Sequence, residues 1–118
     1  MASPFYCVAV VRNGQIAAAA IYHGWRSEGV GEITFAAADT RWATRHAVSA
    51  VLGYAFDILH LRCLLAVSKA ANKRVLKLND GLGFKRVGLI PALYPDSDAV
   101  LHAMSKRWFK RSRWNGKK

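Results

Sequence analysis

The stretch from residue 32 to residue 84 constrains the fold most, because short apolar runs alternate there with helical patterns. The predicted elements are a strand at Glu32–Ala38, a turn at Asp39–Ala43, a helix at Thr44–Leu59, a strand at Arg62–Ser68 and a helix at Asn72–Leu82. A strand, a crossover helix and a second strand form a right-handed parallel unit. The stretch therefore predicts a parallel strand pair with helices packed on it.

The flanking segments predict antiparallel strands on both sides of this unit. Phe5–Arg12 is rich in aromatic and β-branched residues, and the Asn13-Gly14 pair predicts a tight hairpin to a return strand at Gln15–His23. Three glycines between residues 24 and 31 predict a mobile connection. Two last strands are predicted at Phe84–Leu93 and Ala99–Ser105. The order β-β-β-α-β-α-β-β predicts a mixed α+β fold of the α/β class, built on one mixed sheet.

Length and composition indicate one domain with a real core. The chain has 118 residues, of which 53% are hydrophobic, and we expect the domain to span residues 1–105 with a basic tail at 106–118. No apolar run reaches the length of a membrane-spanning helix, so no membrane association is expected. Because no export signal is apparent, Cys7 and Cys63 are predicted to be buried thiols in a cytoplasmic protein, rather than a disulfide.

Positive charge is concentrated at the C-terminus. The chain has a net charge of +11, and Lys106–Lys118 holds seven lysine and arginine residues with no acid. This segment also contains Trp108, Phe109 and Trp114. Basic residues interleaved with aromatic ones are typical of a nucleic-acid-binding arm. The alternative, which we favour, is a terminal extension whose aromatic side chains pack back onto the sheet.

The turn before the first predicted helix carries two arginines. Arg41-Trp42-Ala43-Thr44-Arg45 places two guanidinium groups at a helix N-terminus, where free backbone N–H groups and the helix dipole already attract an anion. Either Thr40 or Thr44 could cap this helix. The turn therefore predicts a phosphate-binding elbow, and we expect the phosphate to belong to a cofactor.

The second helix carries a spaced motif. Asn72, Val75, Leu78, the triplet 82–84 (Leu-Gly-Phe) and Gly88 follow a spacing that resembles the GNAT superfamily of acyl-CoA-dependent N-acetyltransferases. The likeness covers about residues 5 to 105. The Arg-Trp-x-x-Arg elbow is most similar to short phage- and prophage-encoded members, and the usual first strand and two helices are absent before Phe5. For a phage-encoded member the compartment would be the host cytoplasm.

The resemblance implies acetyl transfer from acetyl-CoA to an amine acceptor, either a small molecule or a protein. It also implies a V-shaped splay between the third and fourth strands, in which the thioester carbonyl meets backbone N–H groups and the pyrophosphate meets the elbow. The implied cofactor-binding residues are Ala36, Ala37, Ala38, Arg41, Trp42, Ala43, Thr44, Arg45, Asn72 and Asn79.

The chain departs from the family pattern at the phosphate loop and at the general acid. The usual loop glycines are replaced by Thr44 and His46, and Arg45 could supply compensating charge. The family's tyrosine acid falls at Asn79, whose amide is no useful proton donor. An acid would then have to be Tyr54, Ser68 or a water.

Glu32 is the best candidate for the general base. The alternative is an edge-strand carboxylate paired with a surface cation. Because the elements that usually shape the acceptor pocket are absent, we expect that pocket to be open, or completed by residues 24–31 or by a second subunit of a homodimer. A second hypothesis is a catalytically impaired scaffold that binds nucleic acid or a host protein through Lys106–Lys118. The four histidines are scattered, and no metal site is predicted.

Overall fold

The computed structural model describes residues 6–27, 29–37 and 44–115. The strands are β1 (Tyr6–Arg12), β2 (Gln15–Ser27), β3 (Val30–Ala37), β4 (Cys63–Lys69), β5 (Lys85–Tyr94) and β6 (Ser97–Ser105). The helices are α1 (Arg45–Gly53), α2 (Lys73–Gly81) and α3 (Lys106–Arg111), and α1 continues into a π-helical turn at Tyr54–Ile58. In these ranges no helix is long and apolar enough to span a membrane.

All six strands form one mixed sheet in the order β1-β2-β3-β4-β6-β5. The β3–β4 pair is parallel and the other four neighbouring pairs are antiparallel. This arrangement confirms the predicted mixed α+β fold, including the strand–helix–strand unit on which the prediction rested.

The N-terminal hairpin forms as predicted, but the connection after it does not. Asn13 and Gly14 both have positive φ, at 54° and 75°. This is the backbone conformation that the favoured two-residue hairpin turn requires. The predicted mobile connection at 24–31 is wrong, because β2 continues to Ser27 and β3 begins at Val30. A register shift between His23 and Ser27 accommodates this stretch, so Gly24 lies in an irregular strand and does not end it.

The helix after the elbow changes its winding near its end. Thr44 is the N-cap, since its hydroxyl accepts the backbone N–H of Ala47 at 3.2 Å, whereas Thr40 lies outside the described residues. The predicted regular helix to Leu59 instead becomes π-helical, with the N–H of Leu59 bonded to the carbonyl of Tyr54 at 2.9 Å. The wider turn accompanies the complete burial of Phe56 in the core.

The three helices pack on one face of the sheet. Strand alternation and pairing place Tyr22, Ile33, Leu64 and Met104 on this face, and all four are buried. The hydroxyl of Tyr22 donates to the carbonyl of Val51 on α1. The core therefore lies between this face and the helical layer.

The basic C-terminal segment is folded over the described part of its length. Ser105 caps α3, and the Phe109 ring stacks on Phe56 with centroids 5.1 Å apart. Trp114 is also buried, and its Nε1–H donates to the carbonyl of Leu82 at 2.8 Å. Trp108, by contrast, is 40% exposed. Two of the three aromatic side chains thus pack on the rest of the protein.

Candidate functional site

A cleft opens where β3 and β4 separate. The two strands pair only from Val30–Cys63 to Glu32–Leu65. Beyond that point β3 remains paired with β2 as far as Ala37, and β4 remains paired with β6 as far as Lys69. A cavity of about 180 Å³ lies between the diverging strands, which is the predicted V-shaped splay.

The cleft is lined by both strands and by α2. The lining residues are Ile33, Thr34, Phe35, Ala66, Val67, Ser68, Lys69, Asn72, Val75 and Asn79. Along the diverging segments, the backbone N–H and C=O groups that face the cleft have no partner across the β3–β4 boundary. Such groups need water or a ligand, so the cleft suits an extended, amide-bearing molecule.

Asn72 lies at the mouth of this cleft as the N-cap of α2. Its φ of −87° and ψ of 79° are not helical, and its Oδ1 accepts the backbone N–H of Val75 at 3.2 Å. This bond satisfies one of the free N–H groups of the first turn. The cap therefore uses the carbonyl end of the Asn72 amide, which leaves the NH₂ end as the group that can donate to a ligand.

Asn79 lies deeper in the cleft, two helical turns beyond Asn72. Its side chain is 1% exposed, and its Nδ2 donates to Ser68 Oγ at 3.3 Å. In the described part of the chain, Asn79 Oδ1 has no hydrogen-bond partner. A buried acceptor without a donor costs about 1–3 kcal/mol. The arrangement thus offers a hydrogen-bond acceptor to a donor that enters the cleft.

Glu32 lies at the vertex, in the last pair of the β3–β4 ladder, and is 8% exposed. The edge-strand position in the alternative for this carboxylate is wrong, because β3 is an interior strand, whereas its pairing with a surface cation stays a prediction. Glu32 pairs with Leu65, so these two side chains share a face of the sheet. Ser68 is three residues further along β4 and lies on the opposite face. The predicted base and Ser68 therefore approach the cleft from opposite sides.

Tyr54, the other predicted acid, is not among the residues that line the cleft. It lies in the π-helical turn and packs against the core, with its ring 5.5 Å from that of Tyr22. The helical pattern placed Tyr54 on the helix after the elbow, but the sequence carried no signal for the change of winding. The structure thus brings together Ser68, Asn72 and Asn79 in the lining of the cleft. Glu32 lies at the vertex and is not among the lining residues, and Tyr54 lies outside.

The predicted elbow is only partly described. Ala38, Arg41, Trp42 and Ala43 lie outside the described residues, so their predicted contacts stay predictions. Ala36 and Ala37 end β3, where their backbone pairs with β2. Thr44 serves as the N-cap, and Arg45 is the exposed first residue of α1.

A buried polar cluster lies on the other side of α2. The sequence pattern did not predict it, because the four histidines are scattered along the chain. His102 is fully buried on β6, and its Nε2 lies 2.9 Å from Asp80 Oδ1. The Asp80 carboxylate also accepts two bonds from Arg86, at 3.1 and 2.8 Å. The bonds from Arg86 and then His102 lower the pKa of Asp80 to about 2. Within the described residues, His102 Nδ1 has no partner. The alternation of apolar and polar residues along β6 could have predicted that His102 faces the core.

Cys63 is a free thiol that is half-buried. Burial raises its pKa, and the charge of Arg62 opposes this effect. Cys63 is thus a free thiol as predicted, but it is half-buried rather than buried, and the Cys7 side chain lies outside the described residues. The described ranges contain no cluster of His, Cys, Asp and Glu suited to a metal ion.

Solved structures provide the comparison with known proteins. No protein-family model and no curated protein matches the chain. A chimera of spermidine N-acetyltransferase SpeG from Vibrio cholerae and hSSAT aligns with a TM-score of 0.78 at 14% identity, over 92% of this chain and 73% of that one. The aminoglycoside acetyltransferase AAC(6')-Ib, solved in complex with coenzyme A and kanamycin, aligns with a TM-score of 0.72 at 21% identity, over 92% and 71%.

An acetyltransferase of the GNAT family from Bacillus anthracis aligns with a TM-score of 0.72 at 17% identity, over 87% of this chain and 66% of that one. The chain thus spans about two thirds of the length of the structures it matches. At identities this low, the structural alignments establish a shared fold and nothing further. Together with the splayed parallel pair and the capped helix at Asn72, these alignments show that the chain has the fold of the GNAT acetyltransferases.

Proposed function

We propose that the protein is an acyl-CoA-dependent N-acetyltransferase that transfers an acetyl group from acetyl-CoA to an amine acceptor. The observation that carries this proposal is the three-residue ladder between β3 and β4, beyond which a polar cleft opens at the start of α2. The structural neighbours support the amine acceptor, since they include a spermidine N-acetyltransferase chimera and an aminoglycoside acetyltransferase in complex with coenzyme A and kanamycin.

The cleft residues fit the amide-bearing arm of coenzyme A. The open backbone edges of β3 and β4 can bond an extended chain of amides as a further strand would. Asn79 Oδ1 is a buried acceptor that lacks a donor in the described chain, and an amide N–H supplies one. Asn72 would donate through Nδ2. Thr44 and Arg45 lie at the N-terminus of α1, where phosphates are favoured, and Arg41, Trp42 and Ala43 are proposed to complete that site.

Acetyl-CoA supplies an acetyl thioester whose carbonyl carbon is the electrophile for the amine. Glu32 would accept the proton that the amine loses. In the segment of Ala36, Ala37 and Ala38, a backbone N–H that faces away from β2 would hold the carbonyl oxygen as it gains negative charge. Because the cleft holds the reacting groups side by side, much of the rate enhancement comes from proximity.

We propose that the Ser68 hydroxyl is the hydrogen-bond donor to the leaving sulfur. Its oxygen accepts a hydrogen bond from Asn79 Nδ2, so its own hydroxyl hydrogen must point in another direction. Since Ser68 lines the cleft, that hydroxyl can donate a hydrogen bond to the thiolate as it leaves, and the thiolate then takes up its proton from water. Asn79, at the family's tyrosine position, would then be a positioning residue that orients the donor.

Calorimetric titration with acetyl-CoA tests cofactor binding. We expect saturable binding, and we expect Arg41→Ala combined with Arg45→Ala to weaken it about tenfold or more while the fold is kept. Arg107→Ala is the matched control, since Arg107 is an exposed cation on α3. The absence of heat at millimolar acetyl-CoA would contradict the proposed cofactor binding. Equal affinity for acetyl-CoA in the double variant and the wild type would show that the elbow does not bind its phosphates.

Turnover needs a separate test. Thiol release from acetyl-CoA should depend on an added amine, with spermidine and kanamycin as first acceptors, and should be lost in Glu32→Gln. Acetyl-CoA binding without thiol release in the presence of any amine would show a cofactor-binding scaffold.

We also propose that a second subunit could complete the acceptor pocket. Sedimentation with and without acceptor would test this homodimer.

The exposed surface of α3 favours a second candidate function, binding of nucleic acid. Trp108 is 40% exposed and Arg107 is also exposed, whereas Lys110 is bonded to Asp57 at 2.9 Å. Deleting the segment would remove the buried Phe109 and Trp114, so charge reversal is the better test. Salt-dependent RNA or DNA binding that falls in Arg107→Glu would support this candidate, and binding that does not change would exclude this surface.

A further inference from the structure

A second cavity lies between α2 and the C-terminal segment, and it shares no lining residue with the cleft. Its volume is about 380 Å³, which is within the range of small-molecule sites. On α2 its wall is formed by Arg74, Lys77, Leu78 and Gly81, which are spaced three and four residues apart and so lie along one side of the helix.

The cavity is cationic. Arg74 and Lys77 line it from α2, Arg113 lines it from the C-terminal segment, and none of the lining residues is acidic. The one acid in the sequence of α2, Asp80, is bonded to Arg86 and His102 and does not line the cavity. Cationic side chains from two segments of the chain favour an anion between them.

One part of the wall is apolar and held in place. Leu82, the C-cap of α2, and Trp114 form it, and the Nε1–H of Trp114 donates to the Leu82 carbonyl at 2.8 Å. The Arg113 guanidinium lies 4.3 Å from the centroid of the Trp114 ring, a favourable cation–π geometry. Because this wall is already fixed by its own contacts, a ligand would not have to order it on binding.

We propose that this cavity is a binding site for a small organic anion with an apolar body, separate from the acyl-CoA cleft. The phosphate or carboxylate lies between Arg74, Lys77 and Arg113, and the apolar body lies against Leu82 and Trp114. The proposal does not depend on the acetyltransferase activity.

Three probes separate the contributions of charge and apolar surface: phenyl phosphate, inorganic phosphate and benzyl alcohol. The readout is the indole N–H signal of Trp114 in a ¹⁵N-labelled sample of the full chain. We expect phenyl phosphate to shift this signal saturably, with inorganic phosphate and benzyl alcohol each at least about tenfold weaker. Equal affinity for phenyl phosphate and inorganic phosphate, or no saturation with any probe, would overturn the proposal.

Gly81→Met tests the location without removing a charge. A Cβ at Gly81 meets no atom within 4 Å, so the longer side chain can enter the space beside the cavity without distorting α2. We expect this variant to keep the fold and to lose at least about tenfold in affinity for phenyl phosphate. Gly88→Met is the matched control, because a Cβ at Gly88 on β5 is equally unobstructed and Gly88 does not line the cavity. Wild-type affinity in Gly81→Met would contradict the proposed site.

Saturating the protein with acetyl-CoA tests whether the site is separate. We expect the affinity for phenyl phosphate to be unchanged. Displacement of phenyl phosphate by acetyl-CoA would assign the cavity to the nucleotide end of the cofactor and would overturn a separate site. If acetyl-CoA does not bind at all, the acetyltransferase proposal fails, while the phenyl phosphate titrations of the wild type and Gly81→Met still decide this one.

Discussion

The two sides of β4 differ in how much of the strand is paired. On one side all seven residues from Cys63 to Lys69 pair with β6, and on the other only three pair with β3. The apolar sequence of β4 is compatible with either arrangement. The difference shows how one strand can serve both as a fixed wall and as the edge of an opening.

Helix α2 lies over this boundary and divides its polar side chains between the two sides. Asn72 and Asn79 line the cleft, whereas Asp80 bonds to Arg86 on β5 and His102 on β6. On the paired side the polar groups chiefly stabilise the fold. On the open side we propose that they bind a ligand, and the following predictions test this division from the largest expected effect to the smallest.

Ser68→Ala should have the largest effect, and the effect should be on the rate. Loss of the proposed hydrogen-bond donor to the leaving sulfur should lower kcat by about 100-fold, the low end for removing a donor to developing negative charge, while the dissociation constant for acetyl-CoA changes little. Ser68→Thr keeps a hydroxyl and should retain most of the rate. Steady-state kinetics measures kcat, and calorimetry measures the dissociation constant for acetyl-CoA. An unchanged kcat in Ser68→Ala would show that a water or another group, and not Ser68, assists the leaving sulfur.

Two substitutions of Asn72 separate its roles in capping and in binding. Asn72→Asp keeps the oxygen that accepts the Val75 N–H but removes the amide donor, so acetyl-CoA binding should weaken about tenfold with little change in stability. Asn72→Ala should also lose about 1 kcal/mol in the free energy of unfolding.

Ser105→Ala is the control for that pair, because Ser105 caps α3 away from the cleft through the N–H of Trp108. It should lose a similar amount of stability without any effect on acetyl-CoA. If Asn72→Asp binds acetyl-CoA like the wild type, the Asn72 amide serves only as a cap.

Asn79→Leu should stabilise the protein while it weakens binding. The substitution removes a buried acceptor that lacks a donor in the described chain, so the free energy of unfolding in urea should rise by about 1 kcal/mol. Asn115→Leu is the matched control: Asn115 is also buried, but its Nδ2 donates to the carbonyl of Lys110 at 2.9 Å, so that variant should be destabilised. Equal destabilisation of both variants would mean that the Asn79 acceptor is already satisfied.

Asp80→Asn should have the smallest effect and should leave acetyl-CoA binding unchanged. The pKa of Asp80 is lowered from 3.8 to about 2, so its ion pair stabilises the fold above about pH 4 and is lost as the pH falls through about 2. The side chain is 44% exposed, which limits the effect to about 4 °C in Tm at neutral pH. The Tm values of variant and wild type should converge near pH 2, and a constant difference at all pH values would contradict the charged pair.

Much of the fold could be predicted because it follows from local patterns. The Asn13-Gly14 turn, the alternation in the strands and the helix opening at Asn72 each have a physical cause within a few residues. The splay between β3 and β4 was expected only from the resemblance, and its position at Glu32 was not predicted, because it depends on the register of the whole sheet.

What escaped prediction depends on contacts between distant elements. The bonds from His102 and Arg86 to Asp80 require the register of β5 and β6 beneath α2. The π-helical turn that contains Tyr54 also contains Phe56, which stacks on the distant Phe109. The alternation of β6 indicated that His102 faces inward, but neither its bond to Asp80 nor the change of winding has a signature in the local sequence.

Amide hydrogen exchange with and without acetyl-CoA tests the central claim most directly, since it compares the two sides of β4 in one experiment. The account predicts slower exchange over residues 66–75, which line the cleft and open α2, with little change over Ala99–Ser105 on β6. Saturation with acetyl-CoA that leaves 66–75 unprotected, or that protects β6 equally, would contradict it.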